Sequence, residues 1–183
     1  VNLAIIRNPI PVKLICGITF SPELNLASII EKLETVFSSV EQKSTVFNFS
    51  DFTSYYEEEM GKNLSKVFIA FYGFYDPGSL AECKVRTTVL EQEISGEHRK
   101  VNLDPGYITP AKLVLATAKD FAHRIYLGQG IYGDVQYRFR RGKFEPSAWT
   151  YPDYQTELAV AFFSEIRQNL LKQEHPYDPI VRL

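Results

Sequence analysis

From Ala122 to Glu145 apolar and polar residues alternate so regularly that this stretch constrains the fold more than any other part of the chain. His123, Ile125 and Leu127 would share one strand face, and Ile131, Val135, Tyr137 and Phe139 the matching face of the next strand. The two sets meet only if a three-residue loop, Gly128-Gln129-Gly130, sets Leu127 opposite Ile131. Arg124 then faces Asp134, and Tyr126 faces Tyr132. A second turn at Arg141-Gly142 brings Phe139 to Phe144 and Arg138 to Glu145, which predicts a three-stranded antiparallel meander. Its other face would carry Arg124, Tyr126, Tyr132, Asp134, Gln136, Arg138 and Arg140, a basic aromatic surface suited to a protein or RNA partner. A solvated face whose charges pair with one another is the plainer expectation, because Arg124 with Asp134 already fits it; 20 basic residues against 22 acidic ones exclude only a histone-like basic protein. Nucleic acid is not the favoured partner.

The earlier part of the chain changes period repeatedly. Val12 to Phe20 reads as a buried strand, Leu26, Ile29, Ile30, Leu33, Val36 and Phe37 as one helix face, and Ser44 to Phe49 and Lys66 to Phe74 as strands. Asp76-Pro77 caps a second helix with Leu80, Cys83, Thr87, Leu90 and Ile94 inward, and Ser95-Gly96 ends it before a short strand, Val101 to Asp104. Strand, helix, strand, strand, helix, strand predicts an α+β fold, a ferredoxin-like βαββαβ layer extended by the C-terminal meander and a terminal helix over Gln155 to Lys172. The Ala-rich segment from Thr109 to Lys119 reads as a short helix, and the Pro-rich tail after Glu174 as irregular. At 183 residues a single domain over 1–183 can bury its own core, and two cysteines make no disulfide framework. Neither a membrane-spanning run nor a secretory pattern in Val1 to Pro11 is evident, so the expected setting is cytoplasmic, with no membrane partner.

Several segments carry chemistry. Gly128 to Val135 spells G-x-G-x-x-G-x-V, the glycine-rich loop of protein kinases, yet no kinase lysine, catalytic loop or D-F-G follows it. Hairpin geometry accounts for these glycines, and a backbone flap over a phosphate is the lesser alternative. No P-loop exists. Asp51 to Glu59 sets four carboxylates beside Tyr55 and Tyr56. On a helix Asp51, Tyr55 and Glu58 or Glu59 would lie on one side and offer oxygen ligands for Mg²⁺ or a general base, although acids at a helix start more commonly serve the dipole. Asp104 stands at a strand end before a Pro105-Gly106 turn, and Lys112, Lys119, Asp120, His123 and Arg124 follow closely. His123 also suits a partly buried, hydrogen-bonded core position. Ser147 to Tyr154 is an aromatic loop fit for a packing lid.

Pro11-Val12-Lys13-Leu14, Asp51-Phe52-Thr53, Tyr55 to Gly61, Val101 to Tyr107, Lys112 to Thr117, Lys119-Asp120, His123 to Leu127 and Trp149 to Tyr154 together resemble the bacterial domain-of-unknown-function family 4416. Members of that family are about one domain long and often carry the label GTP-binding protein or GTP-binding regulator. The resemblance implies no established reaction. It ranks the positions: if its segments converge, Asp104, Lys112, Lys119, His123, Arg124, Gly128, Gly130 and Tyr151 would bind a ligand, with Asn102 nearby and Asp51 and Glu58 seating Mg²⁺. The expected function is a regulator that binds a small phosphorylated ligand, GTP being the labelled candidate, without a P-loop. Two alternatives are a metal-assisted phosphotransferase or hydrolase using Asp104 and the Asp51 to Glu59 acids, and a protein- or RNA-binding module on the hairpin face.

Overall fold

The structure is a computed structural model and describes residues 6–173; the tail expected to be irregular, and part of the Val1 to Pro11 segment, lie outside the described residues. Among the described residues nine strands form one antiparallel sheet: β1 (Lys13–Phe20), β2 (Val40–Lys43), β3 (Phe47–Asn48), β4 (Ser65–Phe71), β5 (Val101–Ile108), β6 (Lys112–Thr117), β7 (Arg124–Gly128), β8 (Ile131–Arg140) and β9 (Lys143–Pro146). The helices are α1 (Leu26–Val36), α2 (Glu57–Met60), α3 (Leu80–Ser95) and α4 (Glu157–Lys172). The sheet order is β2-β4-β1-β5-β6-β8-β7, with β3 on β4 and β9 on β8. Its first four strands have the ferredoxin-like order, and the expected α+β class holds. No helix among the described residues is long and apolar enough to cross a membrane.

Local chemistry sets the helix ends. Asn25 Oδ1 accepts from Ala27 N at 2.8 Å before α1, Asp76 Oδ1 accepts from Gly78 N at 2.8 Å ahead of α3, and Thr156 Oγ1 accepts from Ala159 N at 3.1 Å in α4. Gly96, at φ +65°, closes α3 in the left-handed region that favours glycine. β1 is buried on both faces. Leu14, Cys16 and Ile18 pack with Ile29 and Leu33 of α1 and Cys83 and Leu90 of α3, while Ile15 packs beneath Phe162, Phe163 and Ile166 of α4.

Three expectations need correction. The Ala-rich segment is strand β6, not a helix: Leu113 and Leu115 face the α4 core while Val114 and Ala116 face α3, so a doubly covered strand reads as a continuous apolar run. Asp104-Pro105-Gly106 is not a turn, since β5 runs through it to Ile108. The hairpin pairs Arg124 with Asp134 and Tyr126 with Tyr132 as expected, but Gly128 rather than Leu127 lies opposite Ile131. Leu127 is bulged out, and Gln129 (φ +55°) and Gly130 (φ +74°) make a two-residue turn with both residues left-handed.

A second bulge breaks the supposed basic face. Val114 opposes Val135 while Leu113 opposes Tyr137, so Gln136 is the extra residue and the alternation changes phase there. Asp134 thus lies on the α4 side with Tyr137, and Arg138 opposite Lys112 lies on the other. Arg124 therefore does not share a surface with Arg138 and Arg140. The expected apolar face is also not a core face in β7, where Ile125 is 69% exposed.

Gly106 marks the closest approach of β5 and β6. A Cβ there would meet the Val114 carbonyl oxygen at 2.5 Å and Leu115 Cδ2 at 2.6 Å. Relief requires the strands to part, so Gly106→Ala is expected to lose about 1–3 kcal/mol in urea unfolding. An unchanged midpoint would show that this junction yields freely.

Candidate functional site

The sheet forks between β5 and β6. β5 follows β1 along its whole length, from Lys13 opposite Ile108 to Phe20 opposite Val101, but pairs with β6 only from Gly106 to Ile108. Pro105, one residue before that ladder, has no N–H to offer it. Below this point the strands diverge, and a cavity of about 630 Å³ opens. α3 packs on β5 and reaches β6, and lines the gap with Lys84, Thr88 and Glu91. β5 adds Asn102 and Asp104; the end of β6 and its loop add Leu115 to Lys119 and Phe121; Arg124 comes from β7. Phe49, Thr53, Tyr55 and Tyr56 close one side, and Tyr151, Pro152 and Asp153 another.

Where β6 has left β5, two α3 side chains take over its hydrogen bonds. Lys84 Nζ donates to the Leu103 carbonyl at 2.6 Å, and Leu103 N donates to Glu91 Oε1 at 2.7 Å. The two charged groups lie 3.4 Å apart and are nearly buried, a lysine and a glutamate standing in for one residue of a strand. Burial pushes the Glu91 carboxyl above the ordinary carboxylate range, and the Lys84 charge and the Leu103 N–H pull in the opposite direction. Lys84 Nζ also stands 3.6 Å from Asp104, whose Oδ2 accepts from Asn102 Nδ2 at 2.7 Å. Arg99 donates to Glu59 at 2.8 Å, to Glu91 at 3.3 Å and to Asn102. Although burial disfavours its charge, the Glu59 hydrogen bond and the Glu91 field leave the guanidinium more basic than usual.

Two further groups complete the wall. Lys66 and Asp153 form an ion pair at 2.6 Å with both side chains 3% exposed. Arg124 Nε donates to Asp134 at 2.8 Å, Nη1 to the Lys119 carbonyl at 2.8 Å and Nη2 to the Tyr151 hydroxyl at 3.0 Å. The Tyr151 hydroxyl is pushed up to about 12 by burial, with the Asp104 charge adding to it. Lys119 is the exception: its ammonium donates to the Tyr55 hydroxyl and lies 4.7 Å from that ring's centre, with no carboxylate partner among the described residues.

Of the residues expected to bind ligand, the fold brings Asp104, Lys119, Arg124 and Tyr151 to this cavity. His123 stands behind it, 3.5 Å from Asp134 and stacked on Trp149 at 4.7 Å. Lys112 lies opposite Arg138 at the far end of β6, and Gly128 and Gly130 sit at the hairpin tip; none of the three lines the cavity. The Asp51 to Glu59 acids do not form one helical turn. A 3₁₀ turn ends at Asp51, α2 starts at Glu57, and Asp51 and Glu58 are both exposed, with Asp51 Oδ1 accepting from Asn48 at 2.7 Å. No group of three or more His, Cys, Asp or Glu placed to hold a metal occurs among the described residues, and Asp51 and Glu58 stand on separate elements rather than side by side on one helix.

Sequence reasoning missed Lys66, Lys84, Glu91 and Arg99. The available signal was Lys84 and Glu91, two turns apart and each next to an apolar-face residue of α3, Cys83 and Leu90. A family model, that of a domain of unknown function (DUF4416), matches residues 10–170. No curated protein and no solved structure matches the chain.

Proposed function

The chain belongs to the DUF4416 family, and we propose that it binds a small phosphorylated ligand in the fork between β5 and β6, with GTP as the first candidate, and acts as a ligand-responsive regulator. Lys119 carries this reading. The other cations of the wall each have a carboxylate, whereas the Lys119 ammonium has a phenol, which an incoming phosphate displaces at little cost. Arg124, fixed on the Lys119 carbonyl and the Tyr151 hydroxyl, supplies a planar cation beside it. The volume of about 630 Å³ suits a nucleotide-sized molecule, and Tyr55, Tyr56 and Phe121 offer ring faces.

Binding is favoured over metal-assisted transfer because Asp104 lines the cavity while Asp51 and Glu58 are outside it. A docking module on the hairpin is less favoured, since its arginines lie on opposite faces of the sheet. Magnesium, if it takes part, arrives on the phosphates of its ligand.

Thermal-shift titration with GTP, GDP and ATP, with and without Mg²⁺, tests the proposal. At least one nucleotide is expected to raise the melting temperature of the wild type. Lys119→Ala is expected to weaken that ligand by about tenfold or more while leaving the unliganded melting temperature unchanged, because the residue is exposed. An absence of any shift at millimolar nucleotide defeats the reading, as does full affinity in the variant.

A further inference from the structure

The wall of the fork is electrically balanced. Its five cations are matched by Glu91, Asp104 and Asp153 on the wall itself and by Glu59 and Asp134 directly behind Arg99 and Arg124. Such a site gives a ligand that is anionic throughout no overall attraction. It favours a molecule with an anionic end and, elsewhere, hydrogen-bond donors.

Only one wall carboxylate is placed to receive those donors. Asp153 is 3% exposed and held by Lys66, and Glu91 is 11% exposed and committed to Leu103 N, Lys84 and Arg99. Asp104 is 21% exposed. Its carboxylate can accept about four hydrogen bonds. One comes from Asn102 at 2.7 Å, and Lys84 at 3.6 Å is beyond hydrogen-bond length. The remaining lone pairs stand where β5 has lost its β6 neighbour. The charge is also felt around the cavity: after burial, Asp104 is the strongest influence raising the hydroxyls of Tyr56 and Tyr151 in its lining.

We infer that Asp104 is the specificity residue of the fork, accepting hydrogen bonds from an amino-bearing ring on a ligand whose phosphate lies at Lys119 and Arg124. Sugar hydroxyls can also donate to Asp104, but the rings of Tyr55, Tyr56 and Phe121 lining the same cavity favour a flat aminated base, so the class is an aminated nucleobase phosphate rather than a plain sugar phosphate. This rests on the phosphate-binding reading above and adds which ligands are rejected. A ligand without the amino donor leaves lone pairs of a partly desolvated carboxylate without a donor once it has displaced the water there, and sites built around such a bond discriminate strongly.

Calorimetric titration of the full chain with GMP, AMP, CMP, purine riboside 5′-monophosphate, ribose 5-phosphate and inorganic phosphate tests it. Purine riboside 5′-monophosphate keeps the ring and lacks the amino group, which separates the donor from stacking. At least one aminated nucleotide is expected to bind about tenfold or more tightly than both purine riboside 5′-monophosphate and ribose 5-phosphate. Asp104→Asn is expected to remove that preference and leave ribose 5-phosphate within about twofold of its wild-type affinity. Equal binding of all organic probes by the wild type overturns the inference and spares the phosphate reading. So does a variant, shown by its melting temperature to be folded, that weakens every probe equally. If none of the probes binds while a nucleotide raises the melting temperature, the inference falls and the phosphate reading stands; if the nucleotides also give no shift, both fall. The wild-type comparison decides the matter even if the variant does not fold.

Discussion

Replacing Asp153 with alanine is expected to destabilise the protein by about 3–5 kcal/mol, because it leaves a buried ammonium without its counter-charge. Lys66 Nζ lies 2.6 Å from Asp153, and otherwise faces the rings of Tyr154 at 4.9 Å, Phe49 at 5.1 Å and Phe68 at 5.6 Å. Cation–π attraction of about 0.5–2 kcal/mol per ring offsets part of the desolvation and does not replace an anion. If the cost comes from the stranded charge, Lys66→Met combined with Asp153→Ala regains most of it, since methionine fills the lysine channel and suits the same rings. Urea unfolding of the wild type and the two variants checks this. A loss in Asp153→Ala below about 1 kcal/mol, or no recovery in the double variant, shows that the pair is dispensable. Asp153 lies in the 3₁₀ turn Pro152–Gln155 that leads into α4, two residues after Tyr151, so the single variant is also expected to loosen one wall of the fork.

Much of the architecture was legible because it depends on local rules. Asp76 and Gly96 punctuate α3 where the sequence indicated, and the alternation of Ile131 to Phe139 with the paired turns led to the meander. The errors fall where tertiary context overrides a local signal. Leu113 to Ala116 has no polar alternation because both its faces are covered, and the Ala-rich composition then suggests a helix. Pro105-Gly106 has the composition of a turn, yet inside β5 the proline marks where the ladder to β6 begins and the glycine lets the two strands touch. The bulge at Gln136 carries no composition signal, and it alone separates Arg124 from Arg138.

The site was half legible for a related reason. Lys119, Arg124 and Tyr151 stand in a loop or at the edge of one, where polar residues attract notice, and Asp104, though inside β5, precedes a Pro-Gly that composition reads as a turn; the fold gathers all four. Lys66, Lys84 and Glu91 stand within regular elements, and a charge there ordinarily reads as solvated. Their burial follows from the fork itself: a strand edge abandoned by its neighbour exposes Leu103 N and O, and only long side chains from α3 reach to satisfy them.

Lys84→Met is therefore expected to have an effect as large as the loss of Asp153, and one that depends on pH. Methionine keeps the apolar stem but leaves the Leu103 carbonyl without a donor, and Glu91 and Asp104 without the cation between them. The expected cost near neutral pH is about 3–5 kcal/mol. Burial already raises the Glu91 carboxyl above its ordinary 4.5, and Lys84 is the leading influence that restrains the rise. A carboxyl that holds its proton more tightly in the folded state costs nothing below its unfolded value, where both states are protonated. The cost grows as pH rises from there to the folded value and is constant above it. Removing Lys84 extends that window upward and deepens the penalty, so the variant regains stability as pH falls toward 4.5. The wild type shows the same slope over a narrower window. Urea unfolding of both proteins at about pH 7.5 and about pH 5 checks the sign. A deficit that is equal at the two pH values would trace the loss to the orphaned carbonyl alone, and would remove the electrostatic account of why a lysine lines this cavity.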